Sequence, residues 1–200
     1  MVILPVKTSR RIAMRSSARF LLISTVRLAS WLMIATFAVG LIPTVSAEAV
    51  KLKPVKTSSD KRFEAFADGT IHDKNTSLMW MRNDYWQMEN KWVNWYTAVE
   101  YAQRMNNKNF AGYSDWRLPT VKEANSLYER RKRNTDKDGD KIFIDRIFPK
   151  GSGWSTWTNE EKQNKALIVS LKDEGGKSYQ DKITATDAFL RLVRGPVPQE

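Results

Sequence analysis

Hydrophobic and polar positions along the 200-residue chain alternate with two different periods. Phe63-Glu64-Ala65-Phe66-Ala67 begins the ordered domain as a strand, and Asp68-Gly69 follows as a hairpin-type turn. Thr70 to Asp73 then reads as the return strand, Lys74 to Thr76 as a turn, and Leu78 to Met81 as an apolar strand. Asn83 to Asn94 is polar and aromatic and reads as a loop. At Trp95 the period changes: Trp95, Ala98, Val99, Ala102 and Met105 share a helical face, with Asn94 as N-cap and Asn106-Asn107 as the end. Trp116 and Leu118 alternate with Asp115 and Arg117 until Pro119 stops the strand. Thr120 and Glu123 have the spacing of a capping box, which predicts a helix from Val121 to about Arg131 with Ala124, Leu127 and Tyr128 inside.

The second half reads mostly as strands. Asn134 to Asp140 is a charged loop, and Ile142 to Phe148 is an apolar run ended by Pro149. Trp154 to Thr158, Ala166 to Leu171 and Phe189 to Arg194 are strand-like, with turns at 151–153 and 173–177. The predicted class is α+β, with antiparallel sheets and two helices in the first half. Asp115 and Arg117 are expected to hold the strand-to-helix corner, as a pair or through backbone bonds.

The front of the chain obeys different rules. Residues 1–47 carry six cations and no acid, then an apolar run from Leu28 to Pro43, then Val45-Ser46-Ala47. That order is a secretory signal peptide with cleavage after Ala47. The start could be Met1 or Met14, and an uncleaved anchor is the alternative, which would be the only contact with a membrane. Ser9-Arg10-Arg11 hints at a twin-arginine signal, but the apolar segment does not follow closely. Removing these six cations lowers the net charge from +11 to +5, so the mature part is only moderately basic and no nucleic-acid partner is expected. Residues 48–62, rich in Lys and Ser, read as a flexible linker; 63–195 form the domain and 196–200 a tail. The chain has no cysteine, which excludes thiol nucleophiles, disulfides and thiolate-bound metals. The expected location is periplasmic or secreted.

Four pieces stand in order: Asp68-Gly69-Thr70 with Leu78 to Met81; Gly112-Tyr113-Ser114-Asp115-Trp116-Arg117-Leu118-Pro119-Thr120; Trp154-Ser155-Thr156; and Arg191 to Gly195. In these pieces the chain resembles the Lcl C-terminal domain family, named for a Legionella collagen-like adhesin and catalogued as a domain of unknown function. The resemblance implies a C-type-lectin-like fold, in which the first and last strands pair and two helices flank the sheets. It also implies a link to sulfated glycans, with which the adhesin's domain is associated. A more distant likeness to formylglycine-generating enzymes rests on the Arg-Leu-Pro-Thr corner. Their cysteine-dependent chemistry is not available to a chain without cysteine.

Candidate chemistry lies between Arg130 and Asp145. Asn134, Asp136, Asp138 and Asp140 alternate, Gly139 is sixth in the loop and Asp145 twelfth, which approaches a calcium-binding loop. Lys141 and the short arm of Asp145 depart from that pattern, and a solvated acidic loop is the alternative. Calcium is the candidate cofactor. Arg130, Arg131, Lys132 and Arg133 are the densest basic run. They could complement the dipole at a helix C-terminus or clamp an anion, with Lys137 and Lys141 extending the clamp. Trp86 and Trp92 lie in a polar stretch and could stack on sugar rings or pack under a loop. His72 is the only histidine, and no second catalytic signature accompanies it. The expectation is therefore a non-catalytic, exported binding module of the cell envelope. Its ligand would be an anionic glycan, bound through Arg130, Arg131, Lys132, Arg133, Trp86 and Trp92. The alternative is an envelope assembly subunit whose partner is a protein.

Overall fold

The computed structural model describes residues 53–172 and 175–195, all within the compact unit Glu48–Glu200. The expected signal segment and the tail lie outside the described residues. The result is an α+β arrangement built around antiparallel sheets.

The first sheet contains β1 (Lys56–Thr57), β2 (Phe63–Ala65), β3 (Thr70–Asp73), β4 (Leu78–Met81) and the last strand of the chain, β10 (Val193–Arg194), in that order. The β2–β3 turn is the expected one: Gly69 takes φ +90°, and Asp68 Oδ1 accepts from the Thr70 amide at 3.0 Å and hydroxyl at 2.7 Å. Pairing of β4 with β10 joins the two ends of the domain. Lys56 to Arg62, expected in a linker, is instead tied down. β1 pairs with β2, Ser58 accepts from the Phe63 amide at 2.9 Å, and Arg62 forks onto the buried Asp73 at 3.0 and 2.6 Å. A two-residue edge strand is too short to leave an alternation in the sequence.

Among the described residues there are three α-helices rather than two. The added one, α1 (Tyr85–Glu89), lies in the stretch read as a loop. It is just over one turn and buries only Tyr85, so no periodic face marks it; an Asp84–Gln87 capping box holds it. Helix α2 (Trp95–Asn107) starts at Asn94 and ends where expected. Helix α3 starts at Val121, with the Thr120–Glu123 capping box formed in both directions. It stops at Ser126, well short of Arg131. The Leu127 and Tyr128 amides bond three residues back, to Ala124 and Asn125, and Ser126 Oγ donates to the Glu123 carbonyl.

A hairpin of β5 (Asn134–Thr135) and β6 (Lys141–Ile142) precedes the second sheet of β7 (Ser155–Lys162), β8 (Lys165–Ser170) and β9 (Lys177–Asp181). Strand β9 was not predicted, since exposed Lys, Ser and Asp make up most of it. The expected strand from Phe189 narrows to β10, because residues 188–192 run between layers instead of along one edge. The carbonyls of Ala188, Leu190 and Leu192 accept from Val93, Tyr85 and Met81, while that of Phe189 accepts from Trp157 in β7. One cluster of buried residues gathers under α2 around Tyr101, Trp116 and Trp157, and another around Phe63, Trp80 and Phe148. The half-buried Trp154 packs on both.

The corner holds the fold, but with different partners from the expected pair. Arg117 forks onto the buried Glu123 at 2.8 and 2.7 Å and bridges to Val193, while Asp115 takes a fork from Arg194 at 2.7 and 3.2 Å. Burial pushes the Glu123 carboxyl up, yet the Arg117 fork and the Thr120 amide together hold it below its usual range.

Candidate functional site

Because α3 ends at Ser126, the basic run does not cap a helix. The chain instead turns at Glu129, whose amide donates to the Phe143 carbonyl at 2.8 Å, and enters the β5–β6 hairpin. The run is thereby divided. Lys132 points inward, its ammonium 2.6 Å from both Asp60 and Asp145. Burial disfavours the charged amine, but the two carboxylates outweigh this and raise its pKa; Lys132 in turn holds Asp60 far below the carboxylate range. Lys132 is thus a fastener between the edge strand and the hairpin, which corrects its assignment to a ligand site. Arg131 and Arg133 are exposed. Arg130 is exposed too but lines neither of the grooves that follow.

Two adjacent grooves open here, of about 430 and 400 Å³. The first is lined by Lys56, Arg131, Lys132 and Asp145, the second by Lys141 and Lys150, and both by Arg133 and Arg146. Arg146 Nε donates to the Arg133 carbonyl at 2.9 Å, and Lys56 Nζ to the Arg146 carbonyl at 3.2 Å, so backbone carbonyls space the cations. Phe143 serves as their plate: the Arg133 guanidinium lies 4.7 Å and the Lys141 ammonium 5.2 Å from its ring centre. Among the described residues, Lys56, Arg131, Arg133, Lys141, Arg146 and Lys150 pair with no carboxylate. The one acid of the lining, Asp145, is neutralised by Lys132. Arg133 Nη1 also donates to the carbonyls of Arg130 and, at 2.8 Å, Lys132, so backbone bonds hold Arg133 and Arg146 in place and their remaining N–H groups suit sulfate, phosphate or carboxylate oxygens. Sequence reasoning missed Lys56, Arg146 and Lys150. The spacing Arg146-Ile147-Phe148-Pro149-Lys150, two cations around an apolar turn, was the available signal.

The five residues of the expected calcium loop do not converge, which corrects that assignment. Among the described residues no group of three or more His, Cys, Asp or Glu could hold a metal ion. Asn134 is buried and spends its amide on the carbonyls of Phe148 at 2.9 Å and Asp145 at 3.3 Å. Asp136 Oδ1 accepts from the Asp138 and Asp140 amides at 3.0 and 2.9 Å, closing the hairpin tip. The Lys172 ammonium bridges Asp136 and Asp140 at 2.8 and 2.9 Å, and Lys137 takes Asp138 at 2.9 Å. Asp145 accepts from Lys132 and, at 2.7 Å, from the Ile147 amide. Lysine ammonium groups therefore fill the cation positions.

Trp86 and Trp92 do come together, with ring centres 6.2 Å apart. They line neither groove. The Lys137 ammonium sits over both, at 4.9 and 5.7 Å, so their faces hold a cation of the same chain. Trp86 also packs on Phe189 at 6.2 Å, which leaves Trp92 as the more exposed ring, 41% accessible.

Sequence comparison covers most of this domain, the Arg117–Thr120 corner included. The family model of the Lcl C-terminal domain matches residues 69–194. The chain belongs to that family. No curated protein and no solved structure matches it.

Proposed function

We propose that this chain is an exported, non-catalytic binding module of the bacterial cell envelope that recognises a sulfated or otherwise acidic glycan. The observation that carries this reading is the pair of grooves joined at Arg133 and Arg146, with six cations that pair with no carboxylate among the described residues. A linear polyanion would lay successive charges along the two grooves. Nucleic acid fits less well, because among the described residues no aromatic lines either groove and the nearby Phe143 ring already carries Arg133 and Lys141. The basic, then apolar, then small-residue order of residues 1–47 supports export to the periplasm or beyond. A C-type-lectin-like arrangement is supported by the pairing of the last strand with the first sheet.

A second reading, an envelope assembly subunit, draws on a different surface. Trp92, Tyr96 and Ile183 are 41, 49 and 77% exposed, and the Trp95 amide donates to the Lys182 carbonyl at 3.0 Å, which brings Ile183 to the start of α2.

The test is binding to polysaccharide beads that share one backbone with and without sulfate. Retention on the sulfated beads that is lost in Arg133→Ala/Arg146→Ala supports the glycan reading. Retention on neither, with co-purification of one defined protein, favours the second.

A further inference from the structure

A third cavity, of about 530 Å³, lies where the Asp68–Gly69 turn meets the end of β4, helix α1 and the segment around Phe110. It shares no lining residue with the basic grooves. Its polar centre is Arg82. The backbone of Arg82 is fixed on both sides: its amide donates to the Gly69 carbonyl at 2.8 Å, and its carbonyl accepts from the buried Arg191 at 2.5 Å. Its side chain is different. Among the described residues it makes no hydrogen bond or ion pair, and its Nε is buried without a partner. Several buried polar atoms share that state, among them Trp80 Nε1 and Tyr101 Oη; what sets Arg82 apart is that the rest of its guanidinium lines an open cavity with no carboxylate among the described residues paired to it.

We infer that this cavity binds a small monocarboxylic acid with an apolar body, its carboxylate on the Arg82 guanidinium. A planar two-oxygen anion matches the two terminal nitrogens of the guanidinium, which face the cavity and have no protein partner among the described residues. Met81, Met88 and Phe110 supply an apolar wall for the rest of the molecule. The thioethers adapt to body shape, whereas Phe110 is fixed edge-on against Trp116 at 5.7 Å. Asn83 adds an amide next to the fork. Asp68, whose Oδ1 is spent on Thr70, also lines the cavity. The volume is within the range of small-ligand sites. The walls are braced: Gln87 of α1 donates to the carbonyls of Pro149 at 3.3 Å and Lys150 at 2.9 Å.

The experiment is titration of the 15N-labelled chain with octanoate, followed at Arg82 Nε–H and at the Gly69 and Asn83 amides. Saturable shifts at these three groups are expected, with octanamide bound at least about tenfold more weakly for want of the charged bond. Arg82→Gln should weaken octanoate by at least about tenfold, Arg82→Lys by less, and Arg146→Ala not at all. The amide comparison needs no variant, so it stands even if a substitution at Arg82 unfolds the domain. Octanamide binding as well as octanoate, or no saturable shift at these groups up to about 10 mM, overturns the assignment.

Discussion

Replacing Glu123 with alanine should be among the most damaging single changes at the Arg-Leu-Pro-Thr corner. Its carboxylate is 2% exposed and accepts three short bonds: two from Arg117, at 2.8 and 2.7 Å, and one from the Thr120 amide at 2.7 Å. Deleting one partner of a buried pair costs about 3–5 kcal/mol. Arg117 keeps about a quarter of its side chain in water and retains bonds to the Leu118 and Gly195 carbonyls, both at 3.3 Å. The lower end, about 3 kcal/mol, therefore applies. Thr120→Ala removes only the cap bond to the Glu123 amide, at 3.2 Å, and should cost about 1 kcal/mol. With a urea slope of about 2 kcal/mol per molar, the midpoint falls by about 1.5 M for Glu123→Ala and about 0.5 M for Thr120→Ala. The pH dependence supplies a second readout. The folded Glu123 pKa is depressed, so its contribution is complete above the unfolded value and is lost as pH falls through the folded one. Between about pH 5 and pH 3, Glu123→Gln should lose less stability than the wild type. Equal midpoints for Glu123→Ala and Thr120→Ala would refute the reasoning.

Within the basic run, Lys132→Ala strands the buried Asp145 and should lower the melting temperature by about 4–8 °C, whereas Arg131→Ala should shift it by less than about 2 °C; scanning calorimetry separates them. Because Lys172 already bridges Asp136 and Asp140, millimolar Ca²⁺ or EDTA should move the wild-type melting temperature by less than about 1 °C, and a calcium-dependent rise of several degrees in the same scan would contradict the hairpin described above.

Elements whose signal is local were legible in the sequence. The Asp68-Gly69 turn with its return strand β3, the apolar run of β4, the Asn94 cap and the Thr120–Glu123 box are each complete within a dozen residues, and each is found in place. What was not legible depends on distant partners. Helix α1 buries one residue and is held by its caps, and β1 exists because β2 offers an edge. In the site, Arg131 and Arg133 could be named from their density. Arg146 and Lys150 join them only because the β5–β6 hairpin brings residue 146 back beside residue 133. Lys132 looks no different from its neighbours until Asp60 and Asp145 converge on it. The calcium pattern failed for a related reason: alternate oxygens in sequence describe a metal loop only if no cation of the chain reaches them first, and Lys132, Lys137 and Lys172 do.

The most direct test of the proposed glycan site is calorimetric titration of a heparin-like oligosaccharide into the wild type and Arg133→Ala/Arg146→Ala across a range of salt. The wild type should bind with a steep loss of affinity as salt rises. The double variant, with an unchanged melting temperature, should bind at least about tenfold more weakly and with a shallower salt slope. Equal affinity and equal slope for the two proteins would contradict the assignment of the grooves.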